Sequence, residues 1–194
     1  MKKKGNRSVI GCLAAVCMLL PVMSCVYHDP DEDWNKNGKV RLMLNWKEKK
    51  RPVAMDYYFY QDGAARPVIR RGEIGGYEGT LPAGNYRVAV CNPDGANVEL
   101  QMESGYESAC AVARPASVLK AVSSGVEQPH GLYGTGGELL SVSGKTDRIA
   151  ELYPVSLVRE LELNIRVVGL SEVERLTGSL SGIAPEVHIP TGEP

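Results

Sequence analysis

The sequence predicts an all-β fold, an antiparallel β-sandwich, from three observations. Short segments with alternating apolar and polar residues recur about every ten residues, which is the spacing of strands in a sandwich. Gly, Pro, Asn and Asp cluster between these segments, as tight turns require. The aromatic residues are 9 Tyr, 2 Trp and 1 Phe, and a tyrosine-rich set suits strands in which the ring is covered while the hydroxyl stays hydrated.

Five strands are predicted between residues 40 and 102. In the first strand, apolar residues occupy every second position from Val40 to Trp46, which is the period of a half-buried strand. The turn Leu81-Pro-Ala-Gly-Asn-Tyr86 leads into the fourth strand. It is typical of sandwiches with transthyretin-like or immunoglobulin-like Greek-key topology. The five predicted strands span residues 40–46, 55–60, 67–71, 86–90 and 98–102.

Regularity is lower in the second half of the chain. Residues 106–144 show no regular pattern over their whole length. Residues 109–120 predict either a strand or a short helix, and residues 123–137, which are rich in Gly, Ser and Pro, predict a long irregular loop. Residues 155–168 show the most regular strand pattern in the sequence. The residues expected to face inward in this strand are Leu161, Leu163, Ile165 and Val167.

The N-terminus predicts a lipoprotein export signal. A basic start is followed by a single apolar stretch, residues 9–23, which is too short to cross a membrane comfortably. The stretch ends in Val22, Met23 and Ser24 directly before Cys25, a pattern similar to the bacterial lipobox. We therefore expect lipidation of the Cys25 thiol, and two or three acyl chains on this residue would anchor the protein durably in the outer membrane.

An acidic tether follows the predicted lipidation site. Its acidic residues resemble the surface-export signal of Bacteroidales lipoproteins, which predicts display on the cell surface. Four of the 22 basic residues and none of the 23 acidic residues lie in the signal, so the mature chain has a net charge of about −5. This balance argues against nucleic acid as a partner. The acidic residues of the tether are Asp29, Asp31, Glu32 and Asp33.

The sequence divides into four predicted regions. They are the signal at 1–24, the tether at 25–37, a β-sandwich domain at 38–169, and residues 170–194 as a tail or the start of a truncated second domain.

No catalytic or metal-binding pattern is present in the sequence. The three histidines, His28, His130 and His188, have no metal-ligand spacing to one another or to cysteines. No nucleophile elbow or phosphate-binding loop occurs either. We therefore expect neither an enzyme nor a metal, cofactor or small-molecule substrate. Cys91 and Cys110, the two cysteines of the folded part, are either a disulfide or two free thiols.

The order of these features resembles the Bacteroidales fimbrial anchor lipoproteins, the family of the minor fimbrium anchoring subunit and related lipoproteins. The resemblance rests on the Met-Ser-Cys25 signal end, the acidic tether, the first strand, the Leu81–Val90 hairpin, and the segments around 168–170 and 176–185. It implies sandwiches of transthyretin-like topology and a role at the base of a pilus. It also implies a fimbrillin subunit as partner, bound by strand addition.

Two other functions are consistent with a tethered β-sandwich. The first is a surface glycan-binding lipoprotein of a polysaccharide-uptake system, which would need an exposed aromatic platform. The second is a purely structural envelope lipoprotein. The candidates for an aromatic platform are Trp34, Tyr57, Tyr58 and Tyr60, of which we expect at least two to be core residues.

Overall fold

The computed structural model describes residues 36–115, 126–159, 161–162, 164–166, 168 and 181–194. These residues form strands and loops, one turn of 3₁₀-helix at Tyr106–Ser108, and no α-helix. The strands are β1 (Asn37–Leu44), β2 (Met55–Gln61), β3 (Val68–Gly72), β4 (Gly76–Pro82), β5 (Gly84–Cys91), β6 (Val98–Gln101), β7 (Cys110–Ala113), β8 (Tyr133–Gly136), β9 (Leu140–Val142), β10 (Arg148–Leu152), β11 (Val155–Ser156) and β12 (Glu186–His188).

The strands form three sheets. The first sheet has the order β10-β1-β4, the central sheet β11-β8-β5-β2-β3, and the third sheet β12-β7-β6. Strand β9 also pairs with β5 of the central sheet. Among these pairs only β1 and β10 run parallel, and the others are antiparallel. The predicted all-β sandwich is thus confirmed.

The central sheet is covered on both faces, and β2 shows why. Its residues alternate between two apolar clusters, with Tyr57 and Phe59 in the first and Tyr58 and Tyr60 in the second. A strand that is buried on both faces needs apolar residues at every position, which explains the nearly continuous aromatic run of β2. The first cluster lies between the first and central sheets, and the second lies between the central and third sheets.

The turn before β5 is held by its own tyrosine. Tyr86 is fully buried in the first cluster, and its hydroxyl donates a hydrogen bond to the Pro82 carbonyl at 2.8 Å. The side chain therefore packs in the core and fixes the turn that precedes it. All five strands predicted between residues 40 and 102 are present, with small shifts at their ends.

The strands of the second half of the chain are predicted less accurately than those between residues 40 and 102. Strand β7 lies within residues 109–120, where a strand was one of the two predicted alternatives, whereas β8 lies within the segment predicted to be an irregular loop and β9 follows it. The predicted strand 155–168 is wrong, because among its described residues only Val155–Ser156 forms a strand. Leu161 and Ile165 are 64% and 68% exposed and lie in no strand, while Leu163 and Val167 lie outside the described residues. Alternation creates an apolar face, but a strand also needs a sheet edge to pair with.

Candidate functional site

Strand β10 is one of the two edge strands of the first sheet, and β4 is the other. The Asn45 amide donates to the Leu152 carbonyl at 2.8 Å, so the backbone polar groups of Leu152 face β1. Successive residues of a strand point their backbone groups to opposite sides. The amide and carbonyl groups of Ile149 and Glu151 therefore point away from β1. In the part of the chain that the structure describes, no backbone group bonds to them.

A groove of about 560 Å³ runs beside this free edge. Leu42 and Val88, both buried residues of the first cluster, line it together with residues 148–153 on one side and residues 135–141 on the other. We call this space the β10 groove. It lies between β10 of the first sheet and the β8–β9 segment of the central sheet.

A bulge opposite β10 shapes the groove. Strands β8 and β9 both pair with β5, and the register passes from Gly136 opposite Ala89 to Leu140 opposite Tyr86. The bulged side therefore has one residue more than β5, which makes residues 137–139 a β-bulge. The bulge carries Leu139 to the surface, where its side chain is 61% exposed.

The two sides of the groove carry apolar and polar side chains. Ile149 on β10 is 61% exposed, as Leu139 is on the bulge. Arg148 spans the groove, because its Nε donates to the Ser141 carbonyl at 2.7 Å. Glu151 accepts hydrogen bonds on one carboxylate oxygen from Tyr153 and from Asn45. This arrangement has the features of a surface for an extended peptide, with backbone groups for pairing and an apolar interior for side chains.

The residues predicted at the N-terminus lie outside the described residues. These are the lipidation site Cys25, the lipobox residues and the acidic tether. In the described part of the chain, no helix is long and apolar enough to cross a membrane.

The two cysteines of the domain are free thiols, so no disulfide joins them. Cys91 is fully buried in the second cluster, and Cys110 is half-buried. Burial raises the pKa of the Cys91 thiol to about 12, with a smaller contribution from the nearby Asp56 charge. The thiol therefore stays protonated at neutral pH and has no nucleophilic character.

The aromatic candidates for glycan stacking are mostly core residues. Tyr57, Tyr58 and Tyr60 are all buried, which confirms the expectation that at least two of them belong to the core. Burial raises the pKa of each of these hydroxyl groups. The Tyr57 and Tyr60 hydroxyls donate to the carbonyls of Glu73 and Met102, respectively. The fourth candidate, Trp34, lies outside the described residues.

The His188 side chain has a structural role, whereas His130 is exposed. The His188 ring bonds to the Thr191 hydroxyl at 2.9 Å and to the Tyr106 carbonyl at 3.2 Å. No group of three metal-ligating side chains occurs among the residues that the structure describes.

Sequence reasoning did not find the β10 groove. Strand β10 has a recognisable alternation, because Ala150 and Leu152 face the core while Ile149 and Glu151 face solvent. This signal is only five residues long and contains one small residue. The bulge at 137–139 could not be recognised, since its Gly-rich sequence is equally typical of a loop.

The comparisons with known proteins agree with this architecture. Residues 24–193 match the protein family described as Domain of unknown function (DUF5119). The chain belongs to the DUF5119 family. No curated protein sequence matches this DUF5119 chain.

Two solved Bacteroides structures resemble this DUF5119 protein. The first is a Bacteroides ovatus protein described as a "putative adhesin", with a TM-score of 0.54, 22% identity, and coverage of 69% of this chain and 50% of that one. The second is a Bacteroides thetaiotaomicron structure described as "putative polysaccharide binding proteins" (DUF1812), with a TM-score of 0.43, 9% identity, and coverage of 60% and 46%. The DUF5119 chain thus spans about half the length of each structure. The similarity to the first structure supports the β-sandwich fold.

Proposed function

We propose that this protein is a lipid-anchored protein of the bacterial outer-membrane surface and serves as a fimbrial anchor or assembly subunit. It binds a fimbrillin by strand addition at β10. The observation that carries this proposal is the free β10 edge beside an apolar groove.

The backbone of β10 supplies the pairing groups. Ile149 and Glu151 together offer two amide donors and two carbonyl acceptors to a strand on the outer side. Each backbone hydrogen bond formed on binding contributes about 0.5–1.5 kcal/mol. A strand placed there would extend the first sheet, as in other complexes formed by strand addition.

Burial of apolar surface adds to this pairing. An added strand would lie beside Leu139 and Ile149, two exposed apolar side chains on the two sides of the groove. Its inward side chains would contact Leu42 and Val88. An exposed apolar surface beside an unpaired edge is a hazard in a free protein, which favours a role in which a partner covers it.

The location on the cell surface is supported by separate observations. The lipobox at Val22–Ser24 and the acidic tether after Cys25 predict lipid anchoring and surface display. The Bacteroides ovatus relative in fold is described as an adhesin-type protein. The absence of a catalytic pattern from the sequence supports a binding role and not an enzymatic one.

Two matched proline substitutions test strand addition. Ile149→Pro removes an outward-pointing amide of β10 without removing a bond to β1, and the proline ring obstructs an added strand. Ile69→Pro is the control. The Asp62 amide bonds to the Asn85 carbonyl, so the backbone groups of the even-numbered residues of β2 face β5. Those of the odd-numbered residues face β3, where they pair with Val68 and Arg70. The Ile69 amide therefore also points outward from an edge strand.

The measured quantity is the affinity for a fimbrillin whose gene lies beside the gene of this protein, determined with both proteins purified. We expect Ile149→Pro to weaken binding at least about tenfold, which corresponds to about 1.4 kcal/mol. Ile69→Pro should leave the affinity unchanged. Equal affinities for both variants and the unmodified protein would rule out β10 as the binding edge.

The anchor is tested by Cys25→Ala in the full-length chain. We expect the variant to leave the membrane fraction and to lose labelling by a fatty-acid probe. Membrane retention of the variant, together with absence of label in the unmodified protein, would exclude lipid anchoring at Cys25.

A further inference from the structure

Ala150 interrupts a row of large side chains at the groove. The inward-facing residues of the neighbouring strand β1 are Val40, Leu42 and Leu44, all buried. On β10 the corresponding face carries Ala150 and Leu152, and Ala150 is only half-buried against the first cluster. A methyl group therefore stands where a larger side chain would otherwise complete the layer.

The groove beside Ala150 is lined by buried apolar residues together with exposed polar ones. Leu42 and Val88 are each about 2% exposed and line the groove together with Leu140 and Leu152. The polar side chains that line it, such as Glu138 and Glu151, are exposed. We call the apolar part, lined by Leu42, Val88, Leu140, Ala150 and Leu152, the Ala150 pocket. A polar side chain buried there would lose its hydration without a partner at the base.

The third sheet shows how this chain fills a comparable space. Strand β12 pairs with β7, and directly after β12 the Ile189 amide donates to the Ala109 carbonyl at 2.9 Å. The Ile189 side chain is fully buried in the second cluster. A short strand on an edge and one bulky apolar side chain beneath it together close that side of the sandwich.

We propose that the strand bound at β10 carries one bulky apolar side chain that enters the Ala150 pocket, and that this residue determines which partner binds. The inference rests on the proposed strand addition and specifies its partner. The occupant is an extended segment with alternating residues, in which the central inward residue is Leu, Ile or Phe. Buried apolar anchors of this kind dominate the energy of protein interfaces.

The groove also limits the length of the segment. Strand β10 has five residues, and at about 3.3 Å per residue it spans roughly 16 Å. Arg148 bonds to Ser141 at one end. A Cβ atom at Gly137 would lie 2.9 Å from the Leu152 side chain, so the two sides of the groove approach each other there. Only the central inward residue of an added strand therefore has room for a large side chain.

Two labelled peptides test the pocket with the unmodified protein. The first is Lys-Thr-Val-Thr-Phe-Thr-Val-Thr-Lys, and the second has Ser in place of Phe. Fluorescence polarisation measures their affinities. We expect the Phe peptide to bind at least about tenfold more tightly, because Ser leaves the apolar pocket unfilled.

A variant of the protein provides the reciprocal test. Ala150→Leu fills the pocket from within and should reduce the affinity for the Phe peptide about tenfold, while the affinity for the Ser peptide changes little. Thermal unfolding shows whether the variant is folded. If it is not, the affinities of the Phe and Ser peptides for the unmodified protein decide whether the Ala150 pocket binds a bulky side chain.

The outcomes separate the two proposals. Equal binding of both peptides to the unmodified protein, lost in Ile149→Pro, would overturn the Ala150 pocket and leave strand addition in place. Absence of binding by either peptide, together with fimbrillin binding that Ile149→Pro does not affect, would overturn both.

Discussion

The edges of β7 and β10 differ in one respect, which is whether the chain itself covers them. The β7 edge pairs with β12, the Ala113 amide donates to the Pro185 carbonyl at 2.7 Å, and Ile189 is fully buried below the added strand. The β10 edge has no strand on its outer side among the described residues, and Ile149 remains 61% exposed. Among the described residues, the β7 edge is therefore covered by the chain itself and the β10 edge is not.

A third edge shows that the opening at β10 is not a general feature of the fold. Strand β3 is one of the two edge strands of the central sheet, and it carries Arg70 and Arg71. Arg71 forms a bidentate ion pair with the buried Asp56, and hydrogen bonding and charge from Asp56 raise the pKa of the arginine. Charged side chains on an edge disfavour pairing with other chains. We infer that β3 is better protected against pairing with a partner than β10 is.

The largest predicted effect contrasts two isoleucines on the covered and open edges. Ile189→Ala should lower the free energy of unfolding by about 2–5 kcal/mol, because it leaves a cavity in the second cluster. Ile149→Ala should lower it by less than about 1 kcal/mol, since the side chain is exposed. Urea denaturation of both variants measures the difference. Similar losses at the two sites would mean that the edges do not differ in coverage.

The buried thiol and hydroxyl groups of the second cluster should make the protein less stable at alkaline pH. Burial raises the pKa of Cys91 to about 12 and also raises the pKa values of Tyr58 and Tyr60, all in the second cluster. These groups keep their protons in the folded state while the unfolded chain releases them. The contribution of these groups to the free energy of unfolding is therefore fully present below about pH 8.5, the pKa of cysteine in an unfolded chain. It falls as the pH rises above that value.

Denaturation at a series of pH values measures this dependence. Each group contributes at most about 1.4 kcal/mol per pH unit within its window. In the unfolded chain, cysteine titrates at about pH 8.5 and tyrosine at about pH 10. Cys91→Ala removes the first of these groups, so it should make the decline in the free energy of unfolding between about pH 9 and pH 10 shallower. An unchanged slope would show that the Cys91 thiol is not shielded by the third sheet.

The same contrast explains what could be predicted from the sequence. Strand β1 was recognisable because its apolar residues repeat over its whole length, and β2 because its aromatic run has no other simple explanation. Strand β10 is short, and its parallel partner β1 is distant in the sequence. Its pairing therefore depends on tertiary contacts and not on a local turn. The strand expected at 155–168 is wrong for the opposite reason, since a strong local pattern does not by itself provide pairing with a sheet.

The smallest predicted effect concerns the hydrogen bond that joins the two sides of the groove at one end. Arg148→Ala removes the hydrogen bond from Arg148 Nε to the Ser141 carbonyl, which should cost about 0.5–1 kcal/mol of stability. The matched control is Arg41→Ala, which removes an exposed ion pair with Glu78 elsewhere in the first sheet.

The two arginine variants should differ in how fast they bind. If a strand must displace the Arg148 bond to reach the Ala150 pocket, Arg148→Ala should bind the Phe peptide about threefold faster, the factor that corresponds to about 0.7 kcal/mol. Arg41→Ala should bind at the unmodified rate, because its ion pair does not line the groove. Stopped-flow fluorescence measures both rates. Slower association in Arg148→Ala would instead show that this arginine contacts the incoming strand, which would make it part of the binding surface and not an obstacle to it.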